Sequence, residues 1–353
     1  MKLLEVDNLE VSFATPDGVV RAVRGVSFSV ERGSTLGIVG ESGSGKSVST
    51  QTIVGLTQGA RVSGTALFEG HDLLTMTPDQ LRHIRGPKIA MIFQDPLSSL
   101  HPYYRVGWQI VEMIRAHDDM SKSQARERAI ELLGLVGIPQ PRRRVDDYPH
   151  QFSGGMRQRA MIALALSLNP ALLIADEPTT ALDVTVQAQV LEVLDQVRVE
   201  SGASMVLVSH DLGVVAGTAD RVQVMYGGTI VETGPTAGVF DRPRMPYTVG
   251  LLSSLPAVDQ IGGRLTPIPG APPSLVALPP GCSFAPRCPL VEDACRAEEP
   301  PLIAVEPEHA TRCRRWEVLA EGGATDLFAR SESSTGNGDG ASGAAGNPME
   351  VSA

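Results

Sequence analysis

No stretch of this 353-residue chain approaches the roughly 18 to 20 consecutive apolar residues that a membrane-crossing helix needs, so no transmembrane segment is predicted. No export leader is predicted either. Met1-Lys-Leu-Leu-Glu-Val-Asp7 carries acids where such a leader has its apolar stretch, and export is not expected. There is no excess of positive charge: 30 Lys and Arg stand against 40 Asp and Glu, a formal net charge of −10. That balance opposes general nucleic-acid binding through a basic surface. The run Arg142-Arg143-Arg144 is a local exception, read as a solvated loop. Cysteine is absent before Cys282, and all four cysteines fall between there and Cys313. In a chain not expected to be exported, such clustering favours a metal or cluster site over structural disulfides. The remainder is ordinary for a soluble globular protein: 42% hydrophobic residues, a mean hydropathy of +0.01 and length for about two domains.

Only four lysines occur, and one completes the most informative stretch, Gly40-Glu-Ser-Gly-Ser-Gly-Lys-Ser47. It fits G-x-x-x-x-G-K-[ST] at every fixed position, with a buried-strand pattern before it (Thr35, Leu36, Ile38, Val39) and a helical one after it (Val48 to Leu56). In such a loop the backbone N–H groups around Gly40, Ser42, Gly43, Ser44 and Gly45 cradle phosphate oxygens, helped by the helix start. Lys46 would reach the β- and γ-phosphates, and the Ser47 hydroxyl would bind Mg²⁺.

The surrounding pattern predicts an α/β fold. Residues 3–31 alternate as strands around the turn Thr15-Pro-Asp-Gly18. From 97 to about 165 the apolar spacing is helical (Ile110, Ile114, Ala129, Leu132, Leu133, Val136). Leu172–Ala175 and Met205–Val208 read as buried parallel strands, with a helix over Val184–Val199 between them and a further strand at Thr229–Gly234. The expectation is a nucleotide-binding domain over 1–240 with a helical subdomain, a Pro-rich, Cys-containing C-terminal extension over 241–320, and a disordered tail over 321–353.

Two more stretches carry chemistry. Leu172-Leu-Ile-Ala-Asp-Glu-Pro178 ends an apolar strand in two acids: Asp176 would hold Mg²⁺ and Glu177 would accept a proton from an attacking water. Phe152-Ser-Gly-Gly-Met-Arg-Gln-Arg159 places a hydroxyl and two glycine amides at a helix start, an anion site. Here the chain resembles the ATP-binding cassette family, whose signature is usually written LSGGQ. Ser153, Gly154 and Gly155 match, while Phe152 and Met156 depart from it. The resemblance implies a P-loop NTPase domain. It also implies that the signature closes on the γ-phosphate held by an opposite subunit. It assigns Gln94 to the loop that contacts Mg²⁺ and relays closure to a membrane partner, Asp183 to the loop crossing the dimer interface, His210 to the γ-phosphate, and Phe13 to stacking on adenine. Phe13 also reads as an ordinary strand core residue.

Cys282, Cys288, Cys295 and Cys313 lack the C-x2-C pairs of zinc ribbons and the tight runs of ferredoxins. Gly281-Cys-Ser-Phe-Ala-Pro-Arg-Cys-Pro289 and Met245–Leu252 resemble the C-terminal extension of oligopeptide/dipeptide (and nickel) importer ATPases, some of which hold a [4Fe-4S] cluster on four cysteines. A cluster, zinc and free thiols all stay open, the cluster favoured. The resemblance, covering about residues 3 to 316, implies an ATPase bound peripherally to the cytoplasmic side of the plasma membrane. Its partners would be two permease subunits, a second ABC ATPase in a heterodimer, and an extracytoplasmic solute-binding protein. Peptide import is the expected function, with nickel or another solute as the alternative. A soluble ABC ATPase acting on nucleic acid is opposed by the acidic charge and by the 107 positions between Lys46 and Ser153, too few for long inserted arms.

Overall fold

The computed structural model describes residues 1–180, 183–254, 267–323 and 327–328. Lys2–Thr15 (β1) and Gly18–Glu31 (β2) form a long hairpin, closed where Thr15 Oγ1 donates to the Gly18 carbonyl at 2.8 Å. Thr35–Val39 (β3), buried at all five positions, leads into the phosphate loop and the helix Lys46–Ile53 (α1). Ala60–Phe68 (β4) and His71–Asp72 (β5) then return to the hairpin, giving an antiparallel sheet in the order β2-β1-β4-β5. Pro78–Ile84 (α2) starts at a capping box, Thr77 with Gln80, and precedes Ile89–Ile92 (β6).

A helical layer follows: Pro96–Ser99 (α3), Val106–His117 (α4), Lys122–Leu135 (α5), Pro141–Arg144 (α6) and Gly154–Ala165 (α7). The chain then re-enters the sheet with Leu172–Asp176 (β7), Val184–Ser201 (α8), Ser204–Ser209 (β8), Leu212–Ala216 (α9), Arg221–Tyr226 (β9) and Thr229–Pro235 (β10). Thr236–Asp241 (α10), Pro246–Ser253 (α11), Asp293–Ala297 (α12), Ile303–Glu306 (β11) and His309–Thr311 (β12) complete the C-terminal part.

The main sheet has eight strands in the order β11-β12-β10-β9-β3-β8-β7-β6, parallel from β9 to β6 and antiparallel beyond β9. Its central strands are apolar without interruption because both faces are covered. Along β8, Met205 and Leu207 enter the core shared with the helices, while Val206 and Val208 enter the core shared with the β1–β2–β4 sheet. Each such fully buried side chain contributes about 1.5–3 kcal/mol. The strands end together at one edge, and β3 and β7 deliver the phosphate loop and the two acids there. β4 and β9 were not legible in the sequence. Most of β4 is exposed, so no alternation marks it.

The extension continues the same sheet, since β12 pairs with β10 at Glu232↔Thr311 and Thr233↔Ala310. Within the expected tail, Leu327 and Phe328 are buried, and the remaining residues from 324 on lie outside the described residues. Among the described residues no helix is long and apolar enough to cross a membrane.

Candidate functional site

The phosphate loop wraps the end of β3 and opens a cleft of about 600 Å³. Gly45 has φ of 102°, and a Cβ there would collide with the Ala22 carbonyl, so only glycine fits. Lys46, 3% exposed, donates to the carbonyls of Gly40 at 2.8 Å and Glu41 at 3.1 Å, with the Glu177 carboxylate 3.8 Å away. Burial lowers its pKa, and the carboxylates of Glu177, Asp176 and Glu41 oppose that shift. Asp176 lies beneath the loop, its Oδ1 accepting from Ser47 Oγ at 2.7 Å and its Oδ2 from Gln51 Nε2 at 3.2 Å. Burial raises its pKa, and those two hydrogen bonds act against it.

Glu177 follows at the strand end with φ of 48°, a left-handed conformation for a non-glycine residue. Its N–H donates to Val208 O at 2.9 Å, and its carbonyl accepts from Thr180 N at 3.2 Å. Three groups meet one of its carboxylate oxygens: Gln94 Nε2 at 3.1 Å, Thr180 Oγ1 at 2.9 Å and His210 Nδ1 at 3.2 Å. Backbone strain of this kind costs about 1–3 kcal/mol and persists where the surroundings over-determine it. Ser42, Gly43, Ser44, Gly45, Lys46, Ser47, Gln94, Glu177 and His210, drawn from four separate stretches of sequence, thus line one cleft.

Other expected residues lie elsewhere. Ser153 caps α7, accepting from Met156 N at 3.3 Å, and it and Gly154 are exposed away from the cleft. A Cβ on Gly155 would sit 2.7 Å from Val186, so glycine allows α7 and α8 to start side by side. Asp183 is exposed and caps α8 through Val186 N at 3.0 Å; Ala181 and Leu182 beside it lie outside the described residues. Phe13 faces Val20 and Ala60 across β1 and packs against the second core, outside the cleft. Sequence reasoning missed four contributors. Thr180 and Gln51 carry a signal in hindsight, as polar residues three and four positions from Glu177 and Ser47. Tyr247 and Leu251 of α11 also reach the loop and carry none.

The four cysteines line one small cavity of about 20 Å³. None is in a disulfide. Burial pushes the Cys288 and Cys313 thiols up to about 12 and raises that of Cys282. The Arg315 N–H donates to Cys313 Sγ at 3.3 Å. Among the described residues no three potential ligands converge as for a single metal ion, and the cavity has room for about one water. The donor set suits a thiolate-bound cluster, but the cavity as it stands is too small to contain one.

Residues 23–180 match the ABC transporter family, and residues 231–295 match the oligopeptide/dipeptide transporter C-terminal region. The oligopeptide transport ATP-binding protein OppD of Salmonella typhimurium is 49% identical over 312 residues, 88% of this chain and 93% of that protein. The dipeptide transport ATP-binding protein DppD of Bacillus subtilis is 50% identical over 323 residues, 91% of this chain and 96% of that protein. OppD of Mycobacterium tuberculosis is 51% identical over 329 residues, 92% of this chain, but this chain spans only 54% of its length. Among solved structures, the dimeric post-hydrolysis state of the ATP-binding cassette MJ0796 bound to ADP and Pi superposes with a TM-score of 0.60 at 27% identity, covering 66% of this chain and 98% of that one.

Proposed function

This chain belongs to the ABC transporter family, and from that premise we propose that it is the ATP-hydrolysing subunit of a peptide importer. The observation that carries the reading is the convergence of Gln94, Thr180 and His210 on one oxygen of Glu177 at the mouth of the phosphate loop. In this reading the triphosphate lies in the cradle from Gly40 to Ser47. Lys46 leaves the carbonyls of Gly40 and Glu41 for the β- and γ-phosphates. Glu177 takes the proton of the attacking water, and His210 and Gln94 orient that water. Ser47, Asp176 and Gln94 would hold the Mg²⁺, which supplies charge neutralisation at the phosphates. The fit rests on Asp176, a buried carboxylate whose direct hydrogen-bond donors are the neutral side chains of Ser47 and Gln51.

Ser153, Gly154 and Gly155 do not line their own chain's cleft, which supports their use against the nucleotide of a second ATPase, with Asp183 at that interface and Phe13 stacking on adenine. A heterodimer is the proposed form. Of two permeases, one would dock on this chain at an apolar cavity of about 480 Å³ lined by Met91, Phe93, Met113, Met161 and Leu168, with Phe93 next to Gln94 in sequence. A solute-binding protein would deliver substrate from outside, placing this chain on the cytoplasmic face of the plasma membrane. The matching C-terminal region and the names of the relatives support peptides over nickel as cargo. Cys282, Cys288, Cys295 and Cys313 would hold a [4Fe-4S] cluster, supported by four free thiols as the donor set and by the N–H donor on Cys313. Iron and acid-labile sulfide in anaerobically purified protein would test that assignment, and their absence would remove it.

The functional test is transport. Permeases co-purified with this chain and reconstituted in vesicles should take up labelled oligopeptide only with ATP, and the Glu177→Gln variant should not. Uptake of nickel with no response to peptide would transfer the assignment to the alternative cargo.

A further inference from the structure

Glu41, the second residue of the phosphate loop, is gripped from far along the chain. Its carboxylate accepts a bidentate pair from Arg287, Nη1 to Oε2 at 2.6 Å and Nη2 to Oε1 at 3.0 Å. Its N–H donates to the Tyr247 hydroxyl at 2.7 Å, and its carbonyl accepts from Lys46 Nζ at 3.1 Å. All three polar parts of Glu41 are thus occupied, one of them by the lysine that the nucleotide needs.

Arg287 is itself immobilised. Its Nε donates to Pro269 O at 2.9 Å, and Nη1 lies 3.3 Å from the Tyr226 hydroxyl. The guanidinium carbon sits 5.9 Å from the ring centroids of Tyr226 and Phe284, and the side chain is 4% exposed. A guanidinium that deep in aromatic surroundings holds its carboxylate firmly, because release would leave the buried charge without its counter-ion.

The geometry points to Arg287 as a positioning residue of the phosphate loop: it fixes Glu41, and through Glu41 the carbonyl on which Lys46 rests and the amides that follow, so the nucleotide cradle is complete only when the cysteine-bearing lobe is docked. The inference rests on that loop being the nucleotide site.

Equilibrium binding of Mg-ATP to the full-length chain tests it, with Arg287→Met, Arg287→Lys, Glu41→Gln and the double variant Glu41→Gln/Arg287→Met. Arg287→Met and Glu41→Gln should each weaken binding about tenfold, and the double variant no more than the worse single, because both remove one interaction. Lysine should recover only part, lacking the planar fork. In hydrolysis the KM should rise with kcat within about twofold, since Glu177 is untouched. A lower melting temperature with unchanged ATP affinity would reduce Arg287 to a structural staple and overturn the inference, as would additive losses in the double variant. If Arg287→Met does not fold, Glu41→Gln decides alone, and wild-type affinity there overturns it. Failure of the wild-type chain to bind Mg-ATP would instead overturn the nucleotide assignment, and this inference with it.

Discussion

Glu177 is a residue whose backbone and side chain are constrained together. A left-handed φ of 48° turns the carboxylate out of the strand line, and Gln94, Thr180 and His210 then hold it. Glu177→Gln keeps the shape and removes the basicity, so it should bind ATP normally while hydrolysis by the assembled transporter falls by about 10² to 10⁴. Steady-state phosphate release beside nucleotide binding checks both halves. Gly45→Ala should act on binding instead. It places a Cβ against the Ala22 carbonyl at φ of 102°, and the variant should lose Mg-ATP affinity in the same binding measurement.

At the level of elements, the legible parts were those with local chemistry. β3, β7 and β8 announced themselves as apolar runs because both their faces are buried, and the phosphate loop because its glycines and lysine must follow in fixed order. What stayed hidden was long-range: the sheet neighbours of β9, and the contacts of α11 with the loop, depend on packing that no nearby residue encodes. The helical layer shows another such link, where Asp146 accepts from Arg126 of α5 at 2.6 Å and lies 3.4 Å from Arg105 before α4. The Arg126 hydrogen bond holds the Asp146 carboxyl below its usual range. A depressed carboxylate contributes stability that is present above its unfolded value, about 4, and lost as pH falls through the folded one. Asp146→Asn should therefore lower the unfolding free energy measured in urea slightly near neutral pH, by less than about 1 kcal/mol at so exposed a site, and the difference should vanish in acid.

At the level of the whole molecule, the C-terminal part is fastened to the main sheet through a buried polar cluster. Glu232 of β10, fully buried, accepts from the Arg244 N–H and lies 2.8 Å from His309 Nε2 on β12. His309→Ala would leave the buried Glu232 side chain without its side-chain hydrogen-bond partner, a loss of about 1–3 kcal/mol. Calorimetry should show a fall in melting temperature, with the cysteines becoming reactive to thiol reagents at the same transition. The fastening also has a consequence in time. Arg287 and Glu41 stand 246 positions apart. A ribosome adding about 5–20 residues per second emits the phosphate loop long before the arginine that braces it. During synthesis the nascent chain therefore carries its most recognisable motif unbraced, and a message broken before the last third yields a product with an intact nucleotide motif and no grip on its second residue.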